Sequence, residues 1–301
     1  MGCPRGGQSN RWGADMHQVR LWGITRIAGD RGEQSDFGGV KPRQLLEMLA
    51  LHQGEPCSKD VLAEVLWEGR PPLSYAATLE SHISVVRRRL VAEGLPRTAL
   101  ATVHNGYVLT EEVQVDVVAT RESLTDALRV PAPIAFAAIE ALGPPRLRDL
   151  LASSPYASWA IEAREEMQTL VAAALRHACA GALEIGATDR ALLLARRAQA
   201  EDPVSDATQQ TLLRALLSLD ARCEVLREYA DFRRRLREEL GVEPSGTTQR
   251  IYLEALAVTA RDDAARTGLE RSLLLRLLSE VAPDPDPARP PRWDHMEAVA
   301  G

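Results

Sequence analysis

Arginine is concentrated at the end of one segment of the chain, where Arg87, Arg88 and Arg89 are consecutive and follow a run of small and hydroxylated residues. Guanidinium groups pair with phosphate, and they can donate two parallel hydrogen bonds to the edge of a guanine. Short hydroxyl side chains let a helix backbone approach a duplex and contact phosphates or bases. These residue types in this order predict contact with double-stranded DNA.

A helix is needed to position these side chains. In the segment 74–90, Leu79, Ile83, Val86 and Leu90 fall on one narrow stripe at about 100° per residue, which indicates an amphipathic helix. We predict that the opposite face enters the major groove, where base edges can be distinguished. That small, polar and basic face consists of Ala77, Ser81, Ser84 and Arg88.

A hairpin is predicted immediately downstream of this helix. Two β-prone runs, 101–103 and 107–109, flank His104, Asn105 and Gly106. A short turn with glycine between such runs is typical of a β-hairpin. A recognition helix followed by a hairpin wing predicts a winged helix-turn-helix. At the tip of this wing, His104 and Asn105 would be exposed and able to enter the minor groove.

The arginine cluster has two interpretations. Cations are favoured near helix C-termini, so the three residues could form the solvated end of a surface helix. Their place after a narrow apolar stripe and before a hairpin favours phosphate or base contact instead. Arg88 lies on the exposed face and Arg87 at its edge, whereas Arg89 flanks the apolar stripe and is expected to serve the fold.

The polar residues of the helix could likewise serve the fold or contact DNA. His82 lies beside Ile83, and two interpretations stay open: a partly buried histidine that packs in the fold, or a phosphate contact. The hydroxyls of Thr78, Ser81 and Ser84 would contact phosphates or bases. In the wing, Tyr107 is expected to be a core residue of the hairpin.

The overall charge limits where DNA could bind. The 301 residues have a formal net charge of −6, so attraction to DNA must come from local basic residues. Nearly all basic residues are arginine, with lysine only at Lys41 and Lys59. A chain of this length can hold two domains of ordinary size, each with its own core.

Several other classes of function find no support in the sequence. The four cysteines lack C-x-x-C spacing, so free thiols in a reducing cytoplasm are expected, with no disulfide frame, metal site or cofactor. No apolar run approaches the roughly 18 residues of a membrane span, and residues 1–15 lack the apolar core of a signal peptide. No catalytic constellation stands out, which predicts a protein that is not an enzyme.

Strand and helix signals precede the recognition helix. Alternating residues over 18–27 predict a strand pair or a bent strand, and 34–37 can return as a short strand. Pro42 favours the start of a first helix, and Ser58 is a good N-cap for a second. The second helix carries Val61, Leu62, Val65 and Leu66.

From about residue 117 the composition changes to alanine, leucine, arginine and glutamate with helical periodicity. Tyr156 and Trp159 are predicted to anchor this helical region, and Asp202 and Glu243 to cap helices at proline-containing turns. The helical segments are predicted over 117–128, 134–142, 157–185, 188–201, 205–219, 221–240 and 246–260.

Two separate parts of the chain resemble one family, the Streptomyces antibiotic regulatory proteins. The first half is similar to the family's OmpR-type winged helix, and the second to its bacterial transcriptional activator domain, a tetratricopeptide-like helical array. The phrase Glu-Leu-Gly-Val-Glu-Pro at 239–244 is specific. The resemblance is carried by residues 39–46, 66–67, 78–90 and 105–109 in the first half and by 154–160, 162–164 and 237–245 in the second.

The expected fold class is therefore mainly α, with an N-terminal α+β winged helix-turn-helix followed by an all-α tetratricopeptide-like array. We expect a disordered extension over 1–16, an OmpR-type winged-helix DNA-binding domain over 17–115 and a bacterial transcriptional activator domain over 116–261. Residues 262–301 would hold a short helix near 269–281 and a disordered proline-rich tail.

The chain departs from the family at two places on the predicted DNA-binding surface. Val85 stands where members commonly carry arginine, so one contact would be lost or replaced by an apolar contact to a thymine methyl. The wing tip has His104 and Asn105 where a more basic or proline-containing tip is usual. Both departures affect which DNA sequence is bound.

The leading hypothesis from the resemblance is a transcriptional activator of a secondary-metabolite (antibiotic) biosynthetic cluster. It would bind direct-repeat promoter sites in double-stranded DNA, self-associate there and recruit RNA polymerase holoenzyme, in the cytoplasm at the nucleoid. A second hypothesis makes the helical array a ligand- or peptide-responsive sensor that controls the winged helix. A third, a phosphorylated two-component regulator, is disfavoured because no βαβ receiver segment precedes residue 17.

Overall fold

A computed structural model describes residues 18–143 and 147–257. The expectations for 1–16, for a helix at 269–281 and for the proline-rich tail lie outside the described residues. Within the described ranges, a small strand-rich region at the N-terminal end leads into an array of helices, which confirms the expected fold class. No helix in these ranges is long and apolar enough to cross a membrane.

The elements follow the predicted order closely. The strands are β1 (Gln18–Arg20), β2 (Arg26–Gly29), β3 (Gly32–Gln34), β4 (Cys57–Ser58), β5 (Leu100–Val103), β6 (Gly106–Leu109) and β7 (Gln114–Val115). The helices are α1 (Val40–Leu51), α2 (Lys59–Leu66), α3 (Tyr75–Ala92), α4 (Asp116–Arg129), α5 (Ala132–Leu142), α6 (Ser158–Glu184), α7 (Thr188–Glu201), α8 (Asp206–Ser218) and α9 (Arg222–Leu240), and residues 246–257 are also helical.

The first sheet has the strand order β3-β2-β1-β7. The predicted strand over 18–27 is a pair, because the chain leaves the sheet between β1 and β2 and returns antiparallel. The return strand predicted at 34–37 is wrong in position, since β3 ends at Gln34. β7 pairs parallel to β1, so a segment far along the chain completes this sheet next to its N-terminal strand.

Helices α1, α2 and α3 pack together beneath the wing. Ser58 caps α2 as predicted, because its hydroxyl accepts a hydrogen bond from the amide of Val61. Leu62 and Leu66 of α2 are buried, but Val61 is 57% exposed, so only part of the predicted apolar set reaches the core. An eight-residue helix buries one narrow stripe, and Val61 lies outside it.

The wing is a three-stranded sheet with the order β4-β6-β5. The predicted hairpin is β5 and β6, joined by His104 and Asn105 with Val103 opposite Gly106. The additional strand β4 was not predicted, because two residues are too few to show alternation. Gly106 is required at the crossing, since a Cβ there would overlap the backbone carbonyl of Cys57 in β4.

We expect Gly106→Ala to destabilise the folded chain by about 2 kcal/mol, because the added methyl group must push β4 away from β6. Equilibrium unfolding in urea would measure this as a lower midpoint with an unchanged slope. Gly246→Ala is the matched control, since a Cβ at Gly246 meets no atom within 4 Å and alanine favours a helix. An unchanged midpoint for Gly106→Ala would show that the β4–β6 pairing can widen without cost.

The second part of the described chain is an array of antiparallel helices that packs chiefly through alanine and leucine. Small side chains bring the helices close, and at Gly181 in α6 a Cβ would overlap the backbone carbonyl of Ala132. Each helix predicted from periodicity is present with its ends shifted by a few residues at most, within the described residues. Phe232 and the leucines of α8 fill the interior near the end of the array.

Two local predictions in the array need correction, those for Tyr156 and Glu243. Tyr156 is 91% exposed and anchors nothing, whereas Trp159 is partly buried against the core as predicted. Asp202 is at a helix cap as predicted, since it is the C-cap residue of α7, and the Ser205 hydroxyl caps α8. Glu243 does not cap a helix. The left-handed turn at Gly241 ends α9, and Glu243, two residues later, pairs with Arg233 and Arg237 of that helix.

One apolar core runs from the winged helix into the array without interruption. At the junction, the stretch after β1 binds the segment 149–154: Leu151 donates to the carbonyl of Leu21 at 2.9 Å, and Gly23 donates to that of Asp149 at 2.6 Å. From the other side, the carboxylate of Asp116 accepts hydrogen bonds from the amides of Leu21 and Trp22. Burial raises the pKa of Asp116 to about 6.

Glu47 of α1 lies at the centre of this junction and is fully buried. Its carboxylate accepts hydrogen bonds from the hydroxyl of Thr25 and, at 2.6 Å, from that of Ser154. Arg43 contacts it at 3.3 Å and donates to the carbonyl of Ser153. On the array side, Arg164 of α6 donates to four backbone carbonyls of the facing segment, those of Leu150, Leu151, Ser154 and Pro155.

Candidate nucleic-acid interface

Helix α3 presents the predicted faces. Its stripe of Leu79, Ile83, Val86 and Leu90 is at most 1% exposed and packs against the helices beneath it. The helix ends where Gly94 adopts a φ of 90° and Leu95 donates back to the carbonyl of Leu90, a left-handed turn that glycine favours. The opposite face is open to solvent, with Ala77, Ser81, Ser84 and Arg88 all exposed.

Arg87 joins the recognition helix to the wing. Its Nε donates to the carbonyl of Leu100 at 2.9 Å, and an Nη donates to the hydroxyl of Thr102 at 2.7 Å. The guanidinium also lies 5.9 Å from the ring centre of Tyr107, which is buried as predicted. These bonds use two of the five guanidinium N–H groups, so donors remain for a phosphate.

The other two arginines of the cluster have separate positions. Arg88 is exposed and meets no carboxylate or hydrogen-bond acceptor among the residues that the structure describes. Arg89 forms an ion pair with Asp36 at 2.9 Å and thereby ties α3 to the segment before α1. The prediction that Arg89 serves the fold is confirmed, and Arg88 is the guanidinium left available on the exposed face.

His82 stacks on Trp67, with ring centres 6.4 Å apart and planes inclined by 30°. Burial, together with the nearby charge of Lys41, lowers the pKa of His82. Lys41 itself is held in place by a hydrogen bond to the carbonyl of Leu66 at the end of α2. The structure thus gives His82 a packing role between α2 and α3.

The hydroxyl groups on α3 differ in the hydrogen bonds that they can still form. Thr78 and Ser84 donate to the backbone carbonyls one turn earlier, at 3.2 and 2.9 Å, so their oxygens remain as acceptors. Ser81 is exposed on the centre of the face. Val85 is half-buried and lies beside Gly38, at the edge of the face.

The wing tip is open. His104 and Asn105 are both exposed in the two-residue turn between β5 and β6. Asn105 adopts a φ of 55°, a left-handed conformation that asparagine tolerates better than most residues. Its carbonyl accepts a hydrogen bond from the amide of Lys59 at the start of α2, which fixes the turn to the helical part of the domain.

Two charged residues at this surface were missed by the sequence prediction. Lys59 Nζ lies 2.8 Å from Glu80 Oε1, and Glu80 is exposed on α3. The helical spacing places Glu80 one turn from Ala77 and Ser84, at the edge of the same face, so the periodicity that identified the face could also have found it. A carboxylate repels phosphate, so its residue type alone does not indicate a DNA contact.

Comparison with known families accounts for both halves of the chain. Residues 39–109 match the model described as "Transcriptional regulatory protein, C terminal", and residues 112–256 match "Bacterial transcriptional activator domain". The pairing of an OmpR-type winged helix with this activator domain is the pattern of the Streptomyces antibiotic regulatory proteins. The chain belongs to this type and is a transcriptional regulator.

Relatives with curated names support this assignment. The transcriptional regulatory protein MoaR1 of Mycobacterium tuberculosis is 28% identical over 247 residues, which are 77% of each chain. EmbR of Mycobacterium tuberculosis is 27% identical over 71% of this chain and 57% of its own length. The regulatory protein DnrI of Streptomyces peucetius is 35% identical over 75 residues, 23% of this chain and 28% of DnrI.

A solved structure has the same fold. It is Mycobacterium tuberculosis EmbR in complex with a low-affinity phosphopeptide, and it superposes with a TM-score of 0.69 at 21% sequence identity. The match covers 86% of this chain and 71% of the EmbR chain. The winged helix and the helical array therefore occur together in an experimentally solved relative.

Proposed function

We propose that this regulator is a sequence-specific activator that binds double-stranded DNA with α3 in the major groove and the wing tip in the minor groove. The observation that carries the proposal is the exposed face of α3. It bears Arg88, which meets no acceptor among the described residues, its opposite stripe is buried, and Arg87 joins the wing to the helix beside it. Thr78, Ser81, Ser84 and Val85 would line the groove, and Arg87, His82, His104 and Asn105 would border it.

The finer role follows from the family. As in the resemblance above, we propose binding to direct-repeat promoter sites, self-association there and recruitment of RNA polymerase holoenzyme, with control of a secondary-metabolite cluster. We further propose that the winged helix ends near residue 115 and the activator domain begins at 116, and that the protein acts at the nucleoid in the cytoplasm without a catalytic step. Footprinting the full chain on promoters next to its own gene would test the target.

Arg88→Ala is expected to weaken binding to the cognate site by about 1–3 kcal/mol and to relax preference at one base position, as loss of a bidentate guanine contact would. Mobility-shift titrations on cognate and scrambled duplexes would measure both effects. Arg129→Ala is the matched control, because Arg129 is exposed on α4 and pairs with Asp126 one turn away. If the Arg88 variant and the control bind both duplexes with equal affinity, the proposed placement of α3 in the major groove is contradicted.

The sensor hypothesis is a second candidate because the EmbR relative was solved with a phosphopeptide. In this chain, an open cleft of about 400 Å³ beside the stacked rings of Tyr229 and Tyr252 contains Arg233 and Arg237. Glu243 already pairs with both arginines, so a phosphate would have to displace it. Operator affinity that is unaffected by saturating phosphopeptide would exclude control through this cleft.

A further inference from the structure

Two long charged side chains are exposed on α3, with Arg88 on the polar face and Glu80 at its edge. Ala77 has no polar side-chain atom, and the hydroxyl protons of Thr78 and Ser84 are donated to the backbone. Glu80 and Arg88 are thus the longer groups that can reach outward from this face, one an acceptor and the other a donor. They lie eight residues apart, about 12 Å along the helix axis.

The carboxylate of Glu80 is held in place by Lys59. The Nζ–Oε1 distance is 2.8 Å, and the hydrogen bond that Lys59 donates to Glu80 raises the pKa of Lys59, which keeps the ammonium charged. Lys59 is itself fixed, since its amide donates to the Asn105 carbonyl and its Nζ lies 5.8 Å from the centre of the Tyr107 ring. It therefore connects α2, α3 and the wing.

A carboxylate has about four lone-pair sites on its two oxygens, so it can accept further hydrogen bonds while it pairs with one ammonium. Glu80 Oε1 meets Lys59, and the side chain of Glu80 remains 59% exposed. Brought into a groove lined by phosphates, an exposed carboxylate is repelled unless it meets a donor. In the major groove the bases offer such donors at the N4 amino group of cytosine and the N6 amino group of adenine.

We propose that Glu80 determines part of the DNA specificity by selecting a base with an amino group in the major groove, and that Lys59 is the residue that positions it. This inference rests on the proposed DNA-binding function. The attraction between Glu80 and the amino group offsets the repulsion from phosphates at one sequence only. Other sequences retain the repulsion, so Glu80 acts partly by rejecting them.

The test begins with selection of duplexes from a random pool by the full chain and by Glu80→Ala. The proposal predicts that one position enriched in cytosine or adenine in the wild-type pool becomes unselective with Glu80→Ala. Affinity of the variant for scrambled duplex should rise, because a negative charge leaves the interface. Glu122→Ala is the control, since Glu122 is exposed on α4, away from this face.

Base analogues then test the contact itself. In the selected duplex, 2-pyrimidinone replaces cytosine or purine replaces adenine at that position, and each analogue lacks only the amino group. Wild type should lose about 10-fold or more in affinity for the duplex with the analogue, and Glu80→Ala should lose nothing further. Which analogue has the effect distinguishes cytosine from adenine.

A purely structural salt bridge makes a different prediction. Lys59→Gln and Glu80→Ala would then have equal effects on affinity, and neither would change base preference. That result, or equal analogue penalties in wild type and Glu80→Ala, would overturn the role of Glu80 while leaving the proposed function intact. Failure of the wild-type chain to enrich any sequence would overturn the proposed function, and the role of Glu80 with it.

Discussion

Replacing Glu47 with leucine is expected to destabilise the folded chain by about 3 kcal/mol, the range in which removal of one partner of a buried ion pair falls. The leucine would leave Arg43 without its carboxylate and the hydroxyls of Thr25 and Ser154 without their acceptor. Buried polar groups that lose their partners cost more than the lost bonds alone. Urea unfolding followed by fluorescence would measure the change.

The control and a second variant separate this network from general effects of the substitution. Glu122→Leu makes the same chemical change at an exposed position and should stay within about 0.5 kcal/mol of wild type. Ser154→Ala removes one hydrogen bond from the same carboxylate, so its effect and that of Glu47→Leu should be non-additive. Strict additivity in the double variant would show that the two residues act independently.

The pH dependence of stability gives another measure of Glu47. Burial raises its pKa above the ordinary value for a glutamate, although hydrogen bonds from Ser154 and Thr25 act in the opposite direction. Because its pKa is higher in the folded state than in the unfolded state, Glu47 contributes to stability fully at low pH. That contribution is lost as the pH rises through the folded-state pKa. The free energy of unfolding of Glu47→Gln relative to wild type should therefore rise as the pH increases from the unfolded-state pKa of Glu47 to its folded-state pKa.

The junction explains why part of this architecture could not be predicted from sequence. Periodicity in α3 and the glycine turn of the wing are local, so the recognition helix and hairpin were predicted with nearly the observed ends. Glu47 and Ser154 are 107 residues apart, and nothing local indicates that they meet. The sequence does not show whether the glutamate at position 47 is buried, so it does not indicate that this residue joins the two parts of the chain.

The candidate site shows the same division. The exposed face of α3 followed from helical spacing, and the prediction that Arg89 serves the fold was confirmed. The bonds of Arg87 to the wing and the pair formed by Lys59 and Glu80 depend on how three elements pack. Sequence patterns identify which residues share a face, whereas the partners of long charged side chains come from tertiary structure.

The junction also bears on how two copies would sit on DNA. Each winged helix offers a short face with few groups for base contact, so one copy has limited specificity, and the chain's net charge of −6 adds no general attraction to DNA. The network around Glu47 ties the winged helix to the array. On the proposed direct repeat, the array would then leave each half-site in a fixed direction. Contacts between copies would require their half-sites to lie on one side of the duplex.

Insertion of about 5 base pairs between the half-sites of a direct repeat is expected to abolish cooperative binding, since half a helical turn carries one copy to the opposite side of the duplex. Mobility shifts with the full chain would measure cooperativity as the ratio of second-site to first-site affinity. Insertion of about 10 base pairs is the control and should restore part of the cooperativity, because it restores the rotational phase.

The Glu47→Leu variant links this test to the junction. If the network fixes the direction of the array, its loss should let the arrays of two copies meet even when their half-sites lie on opposite sides of the duplex. The loss of cooperativity caused by the 5-base-pair insertion should then be smaller in the variant than in wild type. Full cooperativity of the wild-type chain on the half-turn spacer would contradict the tandem arrangement. Loss of cooperativity to the same extent in both proteins would keep the tandem arrangement but show that the direction of the array is set by contacts other than those of Glu47.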